Sequence, residues 1–499
     1  MQPILLCTLN AKYSHASLGL RYLYANLGDL QTDAKMVEFT INQRPLDIVE
    51  QIIAHSPEIV SFGVYIWNIS ETTDVVTLLR AVRPDIKLIV GGPEVSYEFE
   101  SSPLQPLVDF CIQGPGEIAL TQLCHQLRAN QAPPSQIIAG VQPDLKSLVL
   151  PYRYYDDDDL KQRIVYVEAS RGCPFKCEFC LSSLDKTAYP FDLDTFLAEM
   201  DRLWHRGLRS YKFVDRTFNL KVATTLKILD FFLERIDENT FLHFELIPDH
   251  LPDTLKTKIA EFPAGSLQFE IGIQSFDEST QTRISRRQNN EKSKQNLAWL
   301  RENTQAHLHT DLIFGLPGED MNTFADGFDQ LVALNPHEIQ LGILKRLRGT
   351  PIIRHTDEYQ MVYNPAAPYN ILQSDCVSFE QLQQINRFAR YWDLIANSGR
   401  FEHSLPLILS DRPFWRFWAL SNSIWQHSQQ THKIALPRLF KLLNTIVPST
   451  LDVDAGTLEQ ALLADYAKSG QKGEIPFKAG MTQKQNLAAN ARQRRHLTS

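Results

Sequence analysis

The sequence lacks the features that mark membrane proteins and general nucleic-acid binders. It has no apolar run long enough to span a bilayer. Its 50 Lys and Arg residues are outnumbered by 58 Asp and Glu residues, and the net charge of -8 gives no general attraction to nucleic acids or anionic membranes. The N-terminal apolar run has no basic segment before it and reads as a β-strand, not a signal peptide. We therefore expect a cytoplasmic protein without membrane or nucleic-acid partners.

Cysteines are few, and their odd number and crowding make a poor disulfide framework. The chain has seven cysteines, of which Cys173, Cys177 and Cys180 fall within eight residues. In a reducing compartment such a group more often binds metal or does redox chemistry. There is no second CxxC pair and no nearby histidine pair, as a zinc site would need. An iron–sulfur cluster is predicted instead, and because a four-iron cluster normally has four ligands, three cysteines leave one iron open.

The length of 499 residues is too great for one core, so several domains are expected. An acidic run at 156–159 lies in a proline-containing stretch and is interpreted as part of a solvated connector. The region 378–465 has mainly helical patterning, whereas the polar C-terminus resembles disordered chain. The predicted divisions are 1–130, a doubly wound Rossmann-like domain; 131–162, a linker; 163–352, a partial barrel; 353–475, a mainly helical domain; and 476–499, a disordered tail.

The first 130 residues alternate strand-like and helix-like segments, which predicts a parallel, doubly wound α/β sheet. Strand-like runs occupy 4–9, 58–68, 87–92 and 110–117. Ligands on such sheets bind at the carboxyl ends of the strands. The candidate ligand contacts at this rim are Asn10, His15, Ser17, Tyr65, Trp67, Gly91, Gly92, Gly114, Gly116 and Glu117.

A second α/β series follows the linker and begins with a strand that runs into the cysteine loop. Six strand-like segments are spaced widely enough for crossover helices, which predicts a partial parallel (β/α)6 barrel. Active residues on such barrels come from the carboxyl ends of strands and the loops after them. The six segments are 163–170, 211–218, 242–248, 266–276, 306–319 and 339–351.

The segment RGCPFKCEFC resembles the cluster loop of the radical S-adenosylmethionine (SAM) superfamily, and the likeness extends over about residues 163–350. The resemblance implies a [4Fe-4S] cluster on the three cysteines, chelation of the open iron by SAM, and reductive cleavage of SAM to a 5′-deoxyadenosyl radical. It also implies an electron donor such as flavodoxin or ferredoxin. By the same resemblance, the expected SAM contacts are Phe179, Asp215, Glu245, Gln274, Arg286, Gly315 and Pro317.

The chemistry of these residues agrees with the resemblance. Carboxylate and carboxamide groups suit a ribose diol, and an arginine fork suits the carboxylate of SAM. Each residue alone has an ordinary alternative: Glu245 could form a strand-end ion pair, and Arg286 could be a surface residue.

The first domain resembles that of the cobalamin-binding subclass in its VGGPEVS and GPGE turns. The resemblance implies cobalamin as a cofactor, with the ten rim residues given above as its expected contacts. It lacks the DxHxxG motif whose histidine ligates cobalt, so either cobalamin binds without a protein imidazole or the domain no longer binds it. His15 is a candidate contact or an ordinary loop histidine, and Tyr65 and Trp67 either face the corrin or pack on the neighbouring domain.

The resemblance implies methyl transfer to an unactivated carbon of a small-molecule or peptide substrate. The alternatives are a radical SAM enzyme without cobalamin, acting in rearrangement, cyclisation or RNA or peptide modification, and a non-catalytic zinc-binding module. The C-terminal region resembles a domain of unassigned function found with this architecture.

Overall fold

The computed structural model describes residues 3–185, 187–471, 473–478 and 482–483. Its first layer is a six-stranded parallel sheet with strand order β2-β1-β3-β4-β5-β6. All seven residues of β1 are buried, as expected where helices cover both faces of a parallel sheet. The strands are β1 (Ile4–Asn10), β2 (Ala34–Thr40), β3 (Ile59–Gly63), β4 (Lys87–Gly91), β5 (Phe110–Gln113) and β6 (Ile137–Ala139). The helices are α1 (Leu18–Ala25), α2 (Pro45–Ala54), α3 (Ile69–Val82) and α4 (Glu117–Arg128).

The predicted doubly wound sheet is confirmed, and the structure adds two strands to it. Strand β2 forms one edge and pairs with β1, and β6 forms the other edge and pairs with β5. Both are partly exposed, and polar residues interrupt β2. Their apolar pattern is therefore weaker than that of the central strands, and β6 lies in the segment interpreted as linker.

The acidic run at 156–159 was interpreted as a solvated connector, and Asp156, Asp157 and Asp158 are exposed, but Asp159 is buried and the run forms part of a helix. Asp156 caps helix α5 (Asp157–Gln162) in a reciprocal capping box with Asp159. The Asp159 side chain is buried and pairs with Arg21 at 2.5 Å and with Arg163 at 2.8 Å. Burial between two guanidinium groups, not solvation, thus determines the conformation of this carboxylate.

The second layer is a six-stranded parallel sheet with strand order β14-β13-β12-β11-β10-β7, which confirms the partial barrel. A short hairpin of β8 and β9 flanks the cysteine loop. The strands are β7 (Val165–Val167), β8 (Ser170–Arg171), β9 (Tyr189–Pro190), β10 (Ser210–Phe213), β11 (Phe241–Leu246), β12 (Leu267–Gln274), β13 (His307–Phe314) and β14 (Glu338–Ile343). The helices are α6 (Leu193–His205), α7 (Val222–Leu233), α8 (Asp253–Ala260), α9 (Glu278–Arg283), α10 (Asn290–Asn303) and α11 (Met321–Ala333).

The C-terminal region is mainly helical, as predicted. Its core is aromatic: Phe388, Trp392 and Phe414 pack with Phe328 of α11, which joins this region to the barrel. The helices are α12 (Phe379–Ile395), α13 (Leu405–Leu409), α14 (Pro413–Ser428), α15 (Leu436–Leu451) and α16 (Ala455–Lys468). Short strands are β15 (Val362–Tyr363), β16 (Ile371–Gln373), β17 (Gly473–Glu474) and β18 (Thr482–Gln483).

Most of the predicted disordered tail, 476–499, lies outside the described residues; 476–478 and 482–483 are described, and β18 pairs with β17. In the part of the chain that the structure describes, every helix is too short or too polar to cross a membrane.

Candidate functional site

The larger of two cavities at the strand ends lies between the two sheets, and we call it the interdomain cavity. Its volume is about 410 Å³. The first domain contributes the turns after its strands, and the barrel contributes residues of the cysteine loop and of β10's carboxyl end. Seven of the ten candidate residues of the first domain line it: Ser17, Tyr65, Gly91, Gly92, Gly114, Gly116 and Glu117.

Gly92 shows why a glycine is needed at this rim. Its φ of +110° lies in the region that side chains rarely adopt, and a Cβ there would stand 2.6 Å from the carbonyl oxygen of Val64. The turn after β4 can therefore pack against the end of β3 only without a side chain. The space beside it is left to the cavity.

The other three candidates lie outside the cavity lining. The Asn10 amide donates to Glu38 at 2.9 Å, and His15 Nδ1 lies 2.5 Å from the Tyr166 hydroxyl. Trp67 stacks on Tyr65 with ring centroids 4.4 Å apart and is 46% exposed.

A charged group that the sequence did not reveal forms the wall between the domains. Arg171, two residues before Cys173, pairs with Glu117 of α4 at 2.6 Å and with Glu168 at 2.8 Å. Its guanidinium also covers the ring of Tyr22 at 4.3 Å. Arg171 thereby joins the start of the cysteine loop to the rim of the first sheet.

The smaller cavity, about 280 Å³, lies at the carboxyl end of the barrel, and we call it the thiol cavity. Cys173, Cys177 and Cys180 line it, and burial raises the pKa of Cys173 and Cys177. Arg286 Nη1 lies 3.6 Å from Cys177 Sγ. Among the residues the structure describes, no three His, Cys, Asp or Glu side chains come close enough to share one metal ion.

The rest of the thiol cavity is rich in acceptors. Glu245 pairs with Arg216 at 2.7 Å, and burial raises the pKa of Glu245. A hydrogen bond with His243 lowers the pKa of neighbouring Glu270 to about 2. Burial, together with the charges of Glu270 and Glu245, raises the pKa of Asp311 well above its usual value.

Gln274 gives the most direct evidence that this cavity is shaped for a polar ligand. It has a φ of +69° at an irregularity in the β12–β13 pairing. Its side-chain oxygen is buried and has no hydrogen-bond partner. Because an unpaired buried acceptor is costly, a ligand donor such as a ribose hydroxyl would fit here. Three soft thiols, a guanidinium and this acceptor fit an iron–sulfur cluster with SAM.

The thiol cavity brings together four of the seven predicted SAM contacts: Phe179, Glu245, Gln274 and Arg286. Asp215 lies outside the lining; it accepts from Ala169 N at 2.9 Å and Ser170 Oγ at 2.6 Å, and burial raises its pKa to about 7. Gly315 and Pro317 also lie outside it. A Cβ on Gly315 would stand 2.8 Å from Ile371, and the Pro317 carbonyl accepts from Arg283 at 2.8 Å.

Arg216 lines both cavities. Its side chain is 53% exposed although it pairs with Glu245. It follows Asp215 in the turn after β10, so the one-residue difference decides which side chain enters the cavities. Nothing in the sequence distinguished it as a site residue.

Three protein-family models match successive parts of the chain. Residues 4–124 match the B12 binding domain, 167–331 match the radical SAM superfamily, and 357–498 match a protein family of unknown function, DUF4080. A B12-binding domain and a radical SAM domain are therefore present, with a further C-terminal domain.

Curated relatives are distant. The chain is 25% identical over 236 residues to an uncharacterised methyltransferase of Pyrococcus horikoshii, covering 42% of this chain and 51% of the relative. It is 24% identical over 382 residues to the cobalamin-dependent radical SAM methyltransferase TokK of Streptomyces tokunonensis, covering 67% and 54%. The chain thus spans about half the length of these relatives.

Two solved structures have the same fold. The cobalamin-dependent SAM radical enzyme OxsB with aqua-cobalamin bound has a TM-score of 0.64 at 14% identity, covering 93% of this chain and 84% of that one. The radical SAM methyltransferase TsrM from Kitasatospora setae, with cobalamin and a [4Fe-4S] cluster bound, has a TM-score of 0.58 at 17% identity, covering 74% and 76%.

Proposed function

We propose that this chain, which combines a B12-binding domain with a radical SAM domain, is a cobalamin-dependent radical SAM enzyme that transfers a methyl group to an unactivated carbon. The observation that carries the proposal is Arg216, which lines both the interdomain cavity and the thiol cavity. Ligands of the two cavities would share a boundary there. A methyl donor and a SAM-derived radical must reach one substrate carbon, and adjacent cavities meet that requirement.

Cys173, Cys177 and Cys180 would hold a [4Fe-4S] cluster, which when bound supplies the electron for reductive cleavage of SAM. Arg286 would pair with the carboxylate of SAM. Gln274 and Glu245 would accept hydrogen bonds from its ribose, Gln274 through the oxygen that now has no partner. Phe179 would cover the thiol cavity, in whose lining it stands beside Cys180.

The interdomain cavity would hold cobalamin, which when bound carries the methyl group. The glycine turns leave space for a large planar ligand, and Tyr65 offers a ring at its edge. No histidine lines this cavity among the described residues. The cobalt would then be held without a protein imidazole, in agreement with the missing DxHxxG motif.

Anaerobic reconstitution with iron, sulfide and cobalamin tests the proposal. We expect about four irons per chain, retained cobalamin after gel filtration, and 5′-deoxyadenosine on reduction with SAM. Iron without cobalamin would favour the alternative of rearrangement, cyclisation or RNA or peptide modification. A single zinc and no iron would contradict both. The flavodoxin or ferredoxin donor, the cytoplasmic location and the small-molecule or peptide substrate stay predictions.

A further inference from the structure

Glu178 lies between the second and third cysteines of the loop and is only 3% exposed, although glutamate is rarely buried without a partner. Its carboxylate meets three polar groups from two other segments. Ser285 Oγ donates at 2.5 Å, Arg354 Nη2 donates at 2.5 Å, and His355 Nε2 lies at 2.9 Å. A buried carboxylate thus joins three parts of the chain.

The backbone of Glu178 contacts the same two segments. Its N–H donates to the Ile284 carbonyl at 3.0 Å, and its own carbonyl accepts from Ile352 N at 3.0 Å. Ile352, Arg354 and His355 belong to the 3-10 turn Pro351–His355, which follows the last barrel strand. The cysteine loop is therefore held on one side by the turn after α9 and on the other by the chain that leaves the barrel.

The Ser285 contact leads directly to the thiol cavity. Ser285 has a φ of +55°, so its turn adopts a conformation that needs support from its surroundings. The next residue is Arg286, whose Nη1 lies 3.6 Å from the sulfur of Cys177. Glu178 thus accepts a hydrogen bond from Ser285, the residue before Arg286, and directly follows Cys177 in the chain.

We propose that Glu178 is a positioning residue that holds the cysteine loop against the Ser285–Arg286 turn and the Pro351–His355 turn. It thereby determines how firmly the cluster is retained and how the EPR spectrum of the reduced cluster changes when SAM binds. The inference rests on the proposed function, since it needs a cluster on the three thiols. Groups that orient metal ligands from behind commonly change metal affinity or activity about 10- to 100-fold when mutated.

The structure predicts an order among variants. Glu178→Ala removes all three side-chain contacts. Glu178→Gln keeps the size of the side chain but replaces one acceptor oxygen by an NH2 group, which cannot accept a hydrogen bond from Ser285 or Arg354. Arg354→Gln removes one contact from a side chain that is 60% exposed, so it should disturb folding least. Lys176→Gln is the matched control, because Lys176 is exposed in the same loop.

The experiment uses the full chain with its cluster reconstituted anaerobically, and the probe is a ferrous-iron chelator. We expect iron loss from Glu178→Ala to be about 10- to 100-fold faster than from wild type. Glu178→Gln and Arg354→Gln should be intermediate, and Lys176→Gln unchanged. The EPR spectrum of the reduced cluster should respond to SAM in wild type and Lys176→Gln, and less in Glu178→Ala. A purely structural role would not predict that spectroscopic difference.

Thermal unfolding of the cluster-free chains separates folding from cluster retention. If Glu178→Ala unfolds early, Arg354→Gln decides the question. Equal iron loss in Arg354→Gln, Lys176→Gln and wild type, with an unchanged EPR response to SAM, would overturn the positioning role. A wild-type chain that takes up no iron would instead contradict the proposed function.

Discussion

The two cavities differ in how the chain builds them. The interdomain cavity is walled by two domains and is bounded by glycine turns, with Arg171 paired to Glu117 across the boundary. The thiol cavity belongs to the barrel alone and is lined by thiols, carboxylates and guanidinium groups. The larger cavity should therefore depend on how the domains dock and on small side chains, and the smaller one on the chemistry of individual donors.

Cys177→Ala should give the largest effect and separate the two cavities most sharply. Removing one of three thiols leaves too few ligands for a stable cluster. We expect loss of nearly all bound iron and of 5′-deoxyadenosine formation, while cobalamin retention stays as in wild type.

Cys376→Ala is the control, because Cys376 is exposed and lines neither cavity. Continued formation of 5′-deoxyadenosine by Cys177→Ala would refute the cluster assignment.

Acid should loosen the interdomain boundary through Glu38. Burial opposes its ionisation, but Arg21 and Arg163 outweigh burial and lower its pKa from 4.5 to about 2. Because the folded pKa is the lower one, its contribution, about 3 kcal/mol, is fully present above about pH 4.5. It is lost as the pH falls towards 2.

Urea unfolding of the cluster-free chain at pH 7 and at several values down to pH 3 measures this contribution. Glu38→Gln should be less stable at pH 7 and should lose less stability on acidification. An identical pH dependence in the two chains would show that this ion pair does not contribute to stability as the structure implies.

Gly91→Leu should fill the interdomain cavity and leave the thiol cavity intact. A Cβ on Gly91 would meet only ordinary contacts, the nearest being the Ile112 carbonyl oxygen at 3.5 Å. The fold should tolerate the change, whereas the larger side chain occupies ligand space. Overpacking costs about 1–3 kcal/mol, so we expect cobalamin to bind about tenfold more weakly.

Equilibrium dialysis against cobalamin, with Gly91→Ala as the smaller control, checks this expectation. Iron content should match wild type in both variants. Unchanged cobalamin binding by Gly91→Leu would place the ligand elsewhere.

Arg216→Ala should affect both cavities, with the smallest effect on each. It leaves the partly buried Glu245 without its cation, so the pKa of Glu245 should rise further. A protonated Glu245 is a poorer acceptor, and we expect SAM to bind several-fold more weakly, with iron content unchanged.

The matched control is Arg202→Ala, because Arg202 is 52% exposed and also pairs with a glutamate at 2.7 Å, on the surface of α6. Calorimetric titration with SAM compares them. Equal SAM affinities in the two variants would argue against a shared boundary at Arg216.

Much of the fold was predictable because its central strands are continuous apolar runs. Strand β1 is buried throughout, and the six barrel strands lie in the order of the chain. The edge strands β2 and β6 were missed, because partial exposure weakens their pattern. Asp159, the last residue of the acidic run, was misread, because its partner Arg21 lies 138 residues away in the sequence.

In the candidate site, too, some features were predictable from the sequence and others were not. Local motifs predicted the three thiols and the glycine turns, and the structure brings Glu245, Gln274 and Arg286 to the thiols. The position of Asp215 beside Ala169 and Ser170, and the entry of Arg216 into both cavities, depend on the path of one turn. A single-residue step along an irregular turn reverses which side chain faces inward, and sequence patterns do not resolve such a step.

The sequence by itself determined the α/β order, the spacing of the cysteines and the identity of the soft donors, because these are properties of neighbouring residues. The tertiary structure decided which carboxylates are paired. Glu178 is held by Arg354 and His355, and Glu38 by Arg21 and Arg163, across separations that no local pattern encodes. A buried charge is tolerated only where the fold delivers its partner, so the tertiary contacts determine the roles of these residues.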